Sequence, residues 1–143
     1  MDRKTLAYWL CTGLFCLVLG FSGVSHLTRQ EFIVQALSHL GYPLYVLTIL
    51  GTAKLLGVAA LLSRGRPLLK EWAYAGFAFN LIAATASHVF TGDALGETLP
   101  PALLLLVGAG SYLLRPAARR LPSALALADS SLPRRPAGAA TNG

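Results

Sequence analysis

A chain of 143 residues has room for one domain, and a composition of 55% hydrophobic against 13% charged residues leaves too little polar surface to face water. The composition therefore excludes an ordinary soluble domain and predicts a protein embedded in a lipid bilayer. The net charge of +6 does not indicate nucleic-acid binding, because the basic residues lie outside the apolar segments and are not interleaved with aromatic residues.

Four apolar runs predict an all-α protein, a membrane-spanning antiparallel four-helix bundle. In chain order the predicted spans cover about residues 5–27, 42–63, 71–90 and 97–115, close to the roughly 20 residues that cross a bilayer. The first run is too long for a signal peptide and has no A-x-A cleavage site, so it is predicted to be an uncleaved helix. Glycine and proline separate the runs, and short connections favour antiparallel neighbours. Residues 1–115 thus form the predicted transmembrane domain.

The fourth run is the shortest. Only Leu99 to Leu114 is continuously apolar, a length of about 24 Å, which is less than the hydrocarbon thickness. Either the bilayer thins there or Glu97 is drawn inward, where it would approach Lys54. Pro100 and Pro101 suit the first turn of this helix.

The last part of the chain, residues 116–143, is rich in Ala, Pro, Arg and Ser and has few large apolar residues. It cannot bury enough surface to offset the entropy of ordering, so the sequence predicts a disordered tail. Residues 121–127 are the one stretch that could lie on the membrane surface.

Lysine and arginine are distributed unevenly between the two sides of the predicted bundle. One side carries ten of them and the other carries Arg29, while Lys54 lies within an apolar run. Loops on the cytoplasmic side carry the excess of Lys and Arg, so both termini are predicted to be cytoplasmic, in the inner or plasma membrane of the cell. The ten are Arg3, Lys4, Arg64, Arg66, Lys70, Arg115, Arg119, Arg120, Arg134 and Arg135.

Lys54 is the principal candidate for a functional residue. A charged side chain near the bilayer centre costs at least about 2.5–3.5 kcal/mol, so an ionisable group there is retained for a reason. Asn80 lies at a similar depth in the next span, which runs the other way. Small residues, among them Gly51, Gly57 and Gly76, predict faces along which the two helices approach closely. Lys54 is therefore predicted to face the interior near Asn80, with interhelical packing as the alternative role.

A second polar group gathers at the outer ends of the spans. Imidazole and carboxylate groups suit metal binding or acid–base catalysis, but no H-E-x-x-H or C-x-x-C spacing is present, so interfacial hydrogen bonding is the favoured interpretation and no metal is predicted. With Lys54 and Asn80, the candidate catalytic residues are His26, His88, Asp93 and Glu97. The whole group is Ser22, His26, Arg29, Glu31, Tyr42, Tyr45, His88, Asp93 and Glu97.

The two cysteines, Cys11 and Cys16, are five residues apart in one apolar run and lie on divergent faces of a helix. They match neither a redox pair nor a metal knuckle, and are interpreted as small packing residues.

The middle of the chain resembles the DoxX-like family of small four-helix membrane proteins. The resemblance covers about residues 5–115 and is carried by F-S-G at 21–23, L-G-Y-P at 40–43, L-G-T-A-K-L-L-G at 50–57, L-K-E-W-A-Y-A-G-F at 69–77, S-H at 87–88 and G-D at 92–93. It implies a four-helix bundle. Relatives are linked to redox chemistry, as quinone-associated subunits of a thiosulfate oxidoreductase or partners of antioxidant proteins, and distant ones assist receptor assembly.

The residues that match the family's polar pattern are Lys54, His88 and Asp93. His26 departs from it, because many relatives carry lysine there after the Ser-Gly pair. The departure puts any inherited role for this position in doubt.

Three functions remain open. The first is a redox-linked membrane subunit that handles a quinone or another lipophilic small molecule; the chain has no dinucleotide fingerprint or paired dithiol, so a redox cofactor would be the substrate itself or belong to a partner protein. The second is a cofactor-independent hydrolase, isomerase or cyclase that acts on a hydrophobic metabolite by acid–base chemistry. The third is a non-catalytic assembly protein. The lipid bilayer is the expected partner of all three, a homo-oligomer is compatible with each, and the identity of any cofactor stays unknown.

Overall fold

The computed structural model describes residues 2–122, which form five α-helices and one short 3₁₀ turn. The elements are α1 (Arg3–Leu27), α2 (Glu31–His39), α3 (Tyr45–Leu62), α4 (Pro67–Thr91), α5 (Leu95–Leu113) and the turn Ala117–Arg119. Residues 123–143, which make up most of the predicted disordered tail, lie outside the described residues.

Helix α2 was not predicted, because residues 28–41 were assigned to a connection between spans. Glu31 in its first turn and His39 in its last turn complement the helix dipole, and Leu37 is buried. Nine residues are too few to cross a bilayer. The described chain therefore has five helices, of which four are long.

Helices α1, α3 and α4 are long and apolar enough to cross a membrane. Helix α5 is not among these three, and its first half holds Glu97, Pro100 and Pro101. The prediction that the prolines occupy the first turn was wrong: α5 begins at Leu95, so both lie inside the helix. There they cannot donate to the carbonyls four residues earlier, those of Gly96 and Glu97.

The four long helices enclose a common core. Helix α1 contacts α3 and α5, and α4 contacts the same two helices. In the core the rings of Phe15 and Phe77 meet edge to face with centroids 5.5 Å apart, as aromatic pairs prefer. Large apolar side chains also cover the outer surface, where Phe79 is 73% exposed and Phe90 89%. Such an exterior suits lipid as the surrounding solvent. The buried core cluster is Phe15, Cys16, Leu19, Leu61, Tyr74, Phe77 and Leu81.

Helices α1 and α3 approach each other closely at Gly23 and Gly51. A Cβ atom added to Gly51 would lie 3.0 Å from the carbonyl oxygen of Gly23 and 2.8 Å from Cγ of Leu27. Gly57 is covered in the same way by the ring of Phe77, but nothing lies within 4 Å of a Cβ added at Gly76. Between α3 and α4, where the close approach was predicted, Gly57 takes part through the ring of Phe77, whereas Gly51 faces α1 and the space around Gly76 is open.

Basic side chains join the helices at the end of the molecule where α3 and α5 finish. Arg115 is 4% exposed; it donates to Glu71 Oε1 at 2.7 Å and lies over the ring of Tyr112, 3.9 Å from its centroid. Lys70 is 2% exposed and donates to carbonyls at the end of α3. These residues connect helices as well as carrying charge.

Candidate functional site

Lys54 lies in the middle of α3, nine residues after the helix begins at Tyr45. Side chains on a helix lean toward its N-terminus, so Lys54 extends toward that end of α3 and meets the last turns of α1. Its Nζ donates to Ser22 Oγ at 2.9 Å and contacts His26 Nε2 at 3.2 Å. The contact between Gly23 and Gly51 brings α1 and α3 close together at this level. The side chain of Lys54 is therefore long enough to contact residues of α1.

His26 lies one helical turn after Ser22 and is 7% exposed. Its Nδ1 lies 2.7 Å from the carbonyl oxygen of Ser22. A carbonyl oxygen only accepts, so this contact assigns the ring proton to Nδ1 and leaves the lone pair of Nε2 to accept from Lys54. Both groups cannot be charged at once in this geometry, because two donors would then face each other. Lys54 and His26 therefore share one positive charge.

No carboxylate within residues 2–122 lies at ion-pair distance from Lys54. Its hydrogen-bond partners, Ser22 and neutral His26, are uncharged. The predicted approach of Glu97 to Lys54 is not made in the structure, because Glu97 lies beside His39 and Asp93. The ammonium is thus solvated by neutral groups and has no counter-ion in the described part of the chain.

A groove of about 220 Å³ runs between α3 and α4, and both Lys54 and Asn80 line it. The predicted common face of these two residues is therefore present, although no hydrogen bond joins them directly. Apart from the lysine and the asparagine, the lining side chains are apolar or aromatic. The lining is completed by Leu50, Ala53, Gly57, Trp72, Ala73, Gly76 and Phe77.

A second polar cluster forms where α2 meets the connection between α4 and α5. Gly92 ends α4 in the left-handed conformation (φ 79°), which glycine adopts readily, and the chain then places Asp93 between two imidazoles. His39 Nε2 lies 2.6 Å from Asp93 Oδ1, and His88 Nδ1 lies 2.7 Å from Asp93 Oδ2. The side chain of Asp93 is only 6% exposed.

The charges in this cluster perturb one another. The hydrogen bond to Asp93 and the negative charge of that residue raise the pKa of His39. The hydrogen bonds from His39 and His88 lower the pKa of Asp93. Both shifts favour a charged pair between α2 and the end of α4.

The structure divides the predicted outer group into two clusters. His26 joins Lys54 and Ser22, whereas His88 joins Asp93, with Glu97 nearby. Asn80 belongs with Lys54 through the groove.

His39 was missed by the sequence analysis. The signal that could have revealed it is the basic residue at the end of a short segment with apolar residues at helical spacing, residues 31–39.

The fold and the Lys54 site describe an α-helical membrane protein with a charged group in its interior. Residues 10–111 match the model of the DoxX-like family, which covers most of the chain, and the protein belongs to this family. The resemblance found in the sequence is thereby confirmed. No curated protein and no solved structure matches the chain significantly.

Proposed function

We propose that this DoxX-like protein binds a lipophilic small molecule of the quinone type in the groove between α3 and α4, with Lys54 donating a hydrogen bond to an oxygen of the ligand. The main support for the proposal is that the ammonium of Lys54 lies in mid-helix, lines an apolar groove and has neutral partners within residues 2–122.

The charge of Lys54 favours a ligand with an oxygen that accepts a hydrogen bond. In a low dielectric a cation is stabilised by any nearby acceptor, and neutral Ser22 and His26 supply only part of what water or a carboxylate would. An ammonium has three donors, and the described contacts use two of them. The third is available to a carbonyl oxygen in the groove, and Asn80 offers a further donor at its lining.

The size and lining of the groove favour a ring with a lipophilic tail. Ligand pockets for drug-sized molecules usually measure about 300–1,000 Å³, so a groove of about 220 Å³ suits one ring system. A hydrocarbon tail would extend into the bilayer along the exposed apolar surfaces of α3 and α4. Trp72 in the groove lining offers a ring face for stacking.

The pair formed by Lys54 and His26 suits a ligand that gains or loses protons. A quinone that accepts two electrons from a separate redox protein takes up two protons to become a quinol. Lys54 can pass a proton to the ligand oxygen and become a neutral amine. Nε2 of His26, 3.2 Å from Nζ, can then take up a proton from water and return it to Lys54. The electrons would come from that redox partner.

Tryptophan fluorescence provides a direct test, because the chain has two tryptophans and Trp72 lines the groove. In a Trp9→Phe background, a short-chain benzoquinone should quench Trp72 saturably in detergent or nanodiscs. Lys54→Met should weaken this binding about ten- to hundredfold, the loss of one charge-assisted hydrogen bond. It should leave thermal stability unchanged or raised, because it removes a charge that has no counter-ion among the residues that the structure describes.

Lys4→Met is the matched control, since it removes a lysine from the exposed start of α1. It should leave the quenching curve unchanged. Equal binding by wild type, Lys54→Met and Lys4→Met would contradict the proposal, as would quenching that never saturates.

We also propose that the four long helices all cross the membrane, as an antiparallel four-helix bundle with cytoplasmic termini. Support comes from the packing of α5 against α1 and α4 and from the excess of Lys and Arg at the end where α1 begins and α5 finishes.

A cofactor-independent enzyme acting on a hydrophobic metabolite is the second candidate. The fixed orientation of His26 against Lys54 favours it, because such a pair moves a proton without any electron donor. Solvent extraction of the purified protein followed by mass spectrometry separates the two candidates. A recovered quinone supports the first. A metabolite that wild type converts and His26→Gln does not, with no electron donor present, supports the second.

A further inference from the structure

We infer that His39, Asp93 and Glu97 form a binding site for a divalent transition-metal ion such as Zn²⁺, with His88 positioning Asp93. The site lies where α2 meets the connection between α4 and α5, and it shares no residue with the Lys54 site.

The three side chains already supply converging ligand atoms. One nitrogen of His39 and one oxygen from each carboxylate all lie within 4.8 Å of one another. Imidazole together with two carboxylates is a donor set that zinc accepts, and metal–ligand distances are about 2.0–2.2 Å for these atoms. Three protein ligands also leave a tetrahedral ion one position for water.

His88 provides the outer support that metal sites usually have. Its Nδ1–H donates to Oδ2 of Asp93 at 2.7 Å and so turns Oδ1 toward His39. Carboxylates that ligate a metal are held by such outer hydrogen bonds, which tune the affinity of the site. The imidazole of His88 is 18% exposed, so it stands behind Asp93 while His39 faces outward.

Binding requires only a small movement. At present His39 Nε2 and Asp93 Oδ1 are 2.6 Å apart, whereas two ligands of one tetrahedral zinc ion stand about 3.3 Å apart. The side chain of His39 is 55% exposed and belongs to a nine-residue helix, so it can move outward. The proton that Nε2 now donates would then lie on Nδ1, or pass to water if the ring was cationic.

Zinc titration of the full chain tests the site. The protein is purified without a polyhistidine tag, stripped with EDTA, dialysed and titrated with Zn²⁺ against a chromophoric chelator. One ion per chain with micromolar or tighter affinity is expected. Co²⁺ should produce a visible d–d absorption that Zn²⁺ abolishes, a signature that ordinary hydrogen bonding does not give.

Variants assign the ligands. Asp93→Asn and His39→Ala should abolish binding, Glu97→Gln should weaken it at least about tenfold, and His88→Gln should weaken it about ten- to hundredfold as an outer-support residue. Asp2→Asn and His26→Gln are matched controls: the first removes a carboxylate from the start of α1, and the second removes an imidazole from the other cluster. Both should keep one ion per chain.

Absence of stoichiometric binding by wild type would overturn the site, and so would equal binding by wild type and the three ligand variants. Circular dichroism and size exclusion confirm that each variant is folded. The result does not depend on the quinone experiment, because His26→Gln alters the Lys54 site and leaves all four metal-site residues in place.

Discussion

The contacts of Lys54 depend on residues that have almost no side chain. Gly51 lies about one helical turn before Lys54 on α3, and Gly23 follows Ser22 on α1. Because neither glycine carries a Cβ, the two backbones meet closely enough for Nζ of Lys54 to donate to Ser22 at 2.9 Å. Small residues serve this purpose commonly where helices meet in membranes.

Gly51→Ala tests this dependence. The added methyl would clash with the Gly23 carbonyl and with Leu27, so we expect a loss of about 1–3 kcal/mol in the free energy of unfolding. Separation of α1 from α3 should also weaken quinone quenching of Trp72. Thermal unfolding and the quenching titration measure the two effects.

Gly13→Ala is the matched control, because nothing lies within 4 Å of a Cβ added at Gly13 and this residue of α1 does not line the groove. It should be neutral or stabilising by up to about 1 kcal/mol through its better helix propensity. If the two variants behaved alike, close packing at Gly51 would not be what holds the site together.

The depth of Lys54 and Asn80 could be predicted from residue counting within an apolar run, but the partner of Lys54 could not. The depth of a residue in the membrane follows from the rise per residue of the helix. Whether the side chain of Lys54 faces α1 or α4 depends on the rotation of α3 about its axis. That rotation is set by contacts such as Gly51 with Gly23, which involve residues 28 positions apart. Asn80 consequently lines the groove beside Lys54, while Ser22 and His26 accept the hydrogen bonds that Lys54 donates.

At the scale of elements, the connection between α3 and α4 is held by a charged side chain. The last carbonyls of a helix have no partner within it, and Nζ of Lys70 donates to those of Ala60 at 3.1 Å and Leu61 at 2.9 Å, as well as to the carbonyl of Ser63. A basic side chain at this end also complements the helix dipole. Lys70 therefore caps α3 from the first turn of α4.

Lys70→Met should remove this cap. Buried carbonyls that lose their donor cost about 1–3 kcal/mol, so we expect the free energy of unfolding to fall by that amount. Hydrogen exchange should accelerate at the amides around the α3–α4 connection. Lys4→Met, which removes an exposed lysine, should change stability by less than about 0.5 kcal/mol. A Lys70→Met variant as stable as Lys4→Met would show that water replaces the cap.

The long helices were predictable and the short one was not, for a physical reason. A run of about 20 apolar residues has few alternatives to a membrane helix, so α1, α3 and α4 follow from composition. Helix α2 has nine residues and is stabilised mainly by its contacts, among them the pairing of His39 with Asp93, 54 positions away. Because that pairing is absent from any local pattern, the metal site inferred here could not be assembled from sequence.

At the scale of the whole molecule, basic side chains gather where the chain starts and where α5 ends. Arg115 is paired with Glu71, and Arg119 lies over the ring of Trp9, 4.5 Å from its centroid. Several of these residues therefore connect helices. They also place positive charge at the end of the molecule where α1 begins and α5 finishes. The proposed cytoplasmic orientation of that end depends on this distribution.

Accessibility of single cysteines tests both the orientation and the fourth span. In a background with Cys11→Ala and Cys16→Ala, Ala94→Cys and Ala118→Cys place one exposed thiol before α5 and one after it. A membrane-impermeant maleimide added to intact cells should label Ala94→Cys and should label Ala118→Cys only after the membrane is opened. This result is expected because a helix of 19 residues is about 28 Å long and can cross the hydrocarbon layer despite its two prolines.

The parent lacking both cysteines should stay unlabelled. Labelling of both sites from outside, or of neither, would mean that α5 does not cross, and the reverse pattern would mean that the termini face outward.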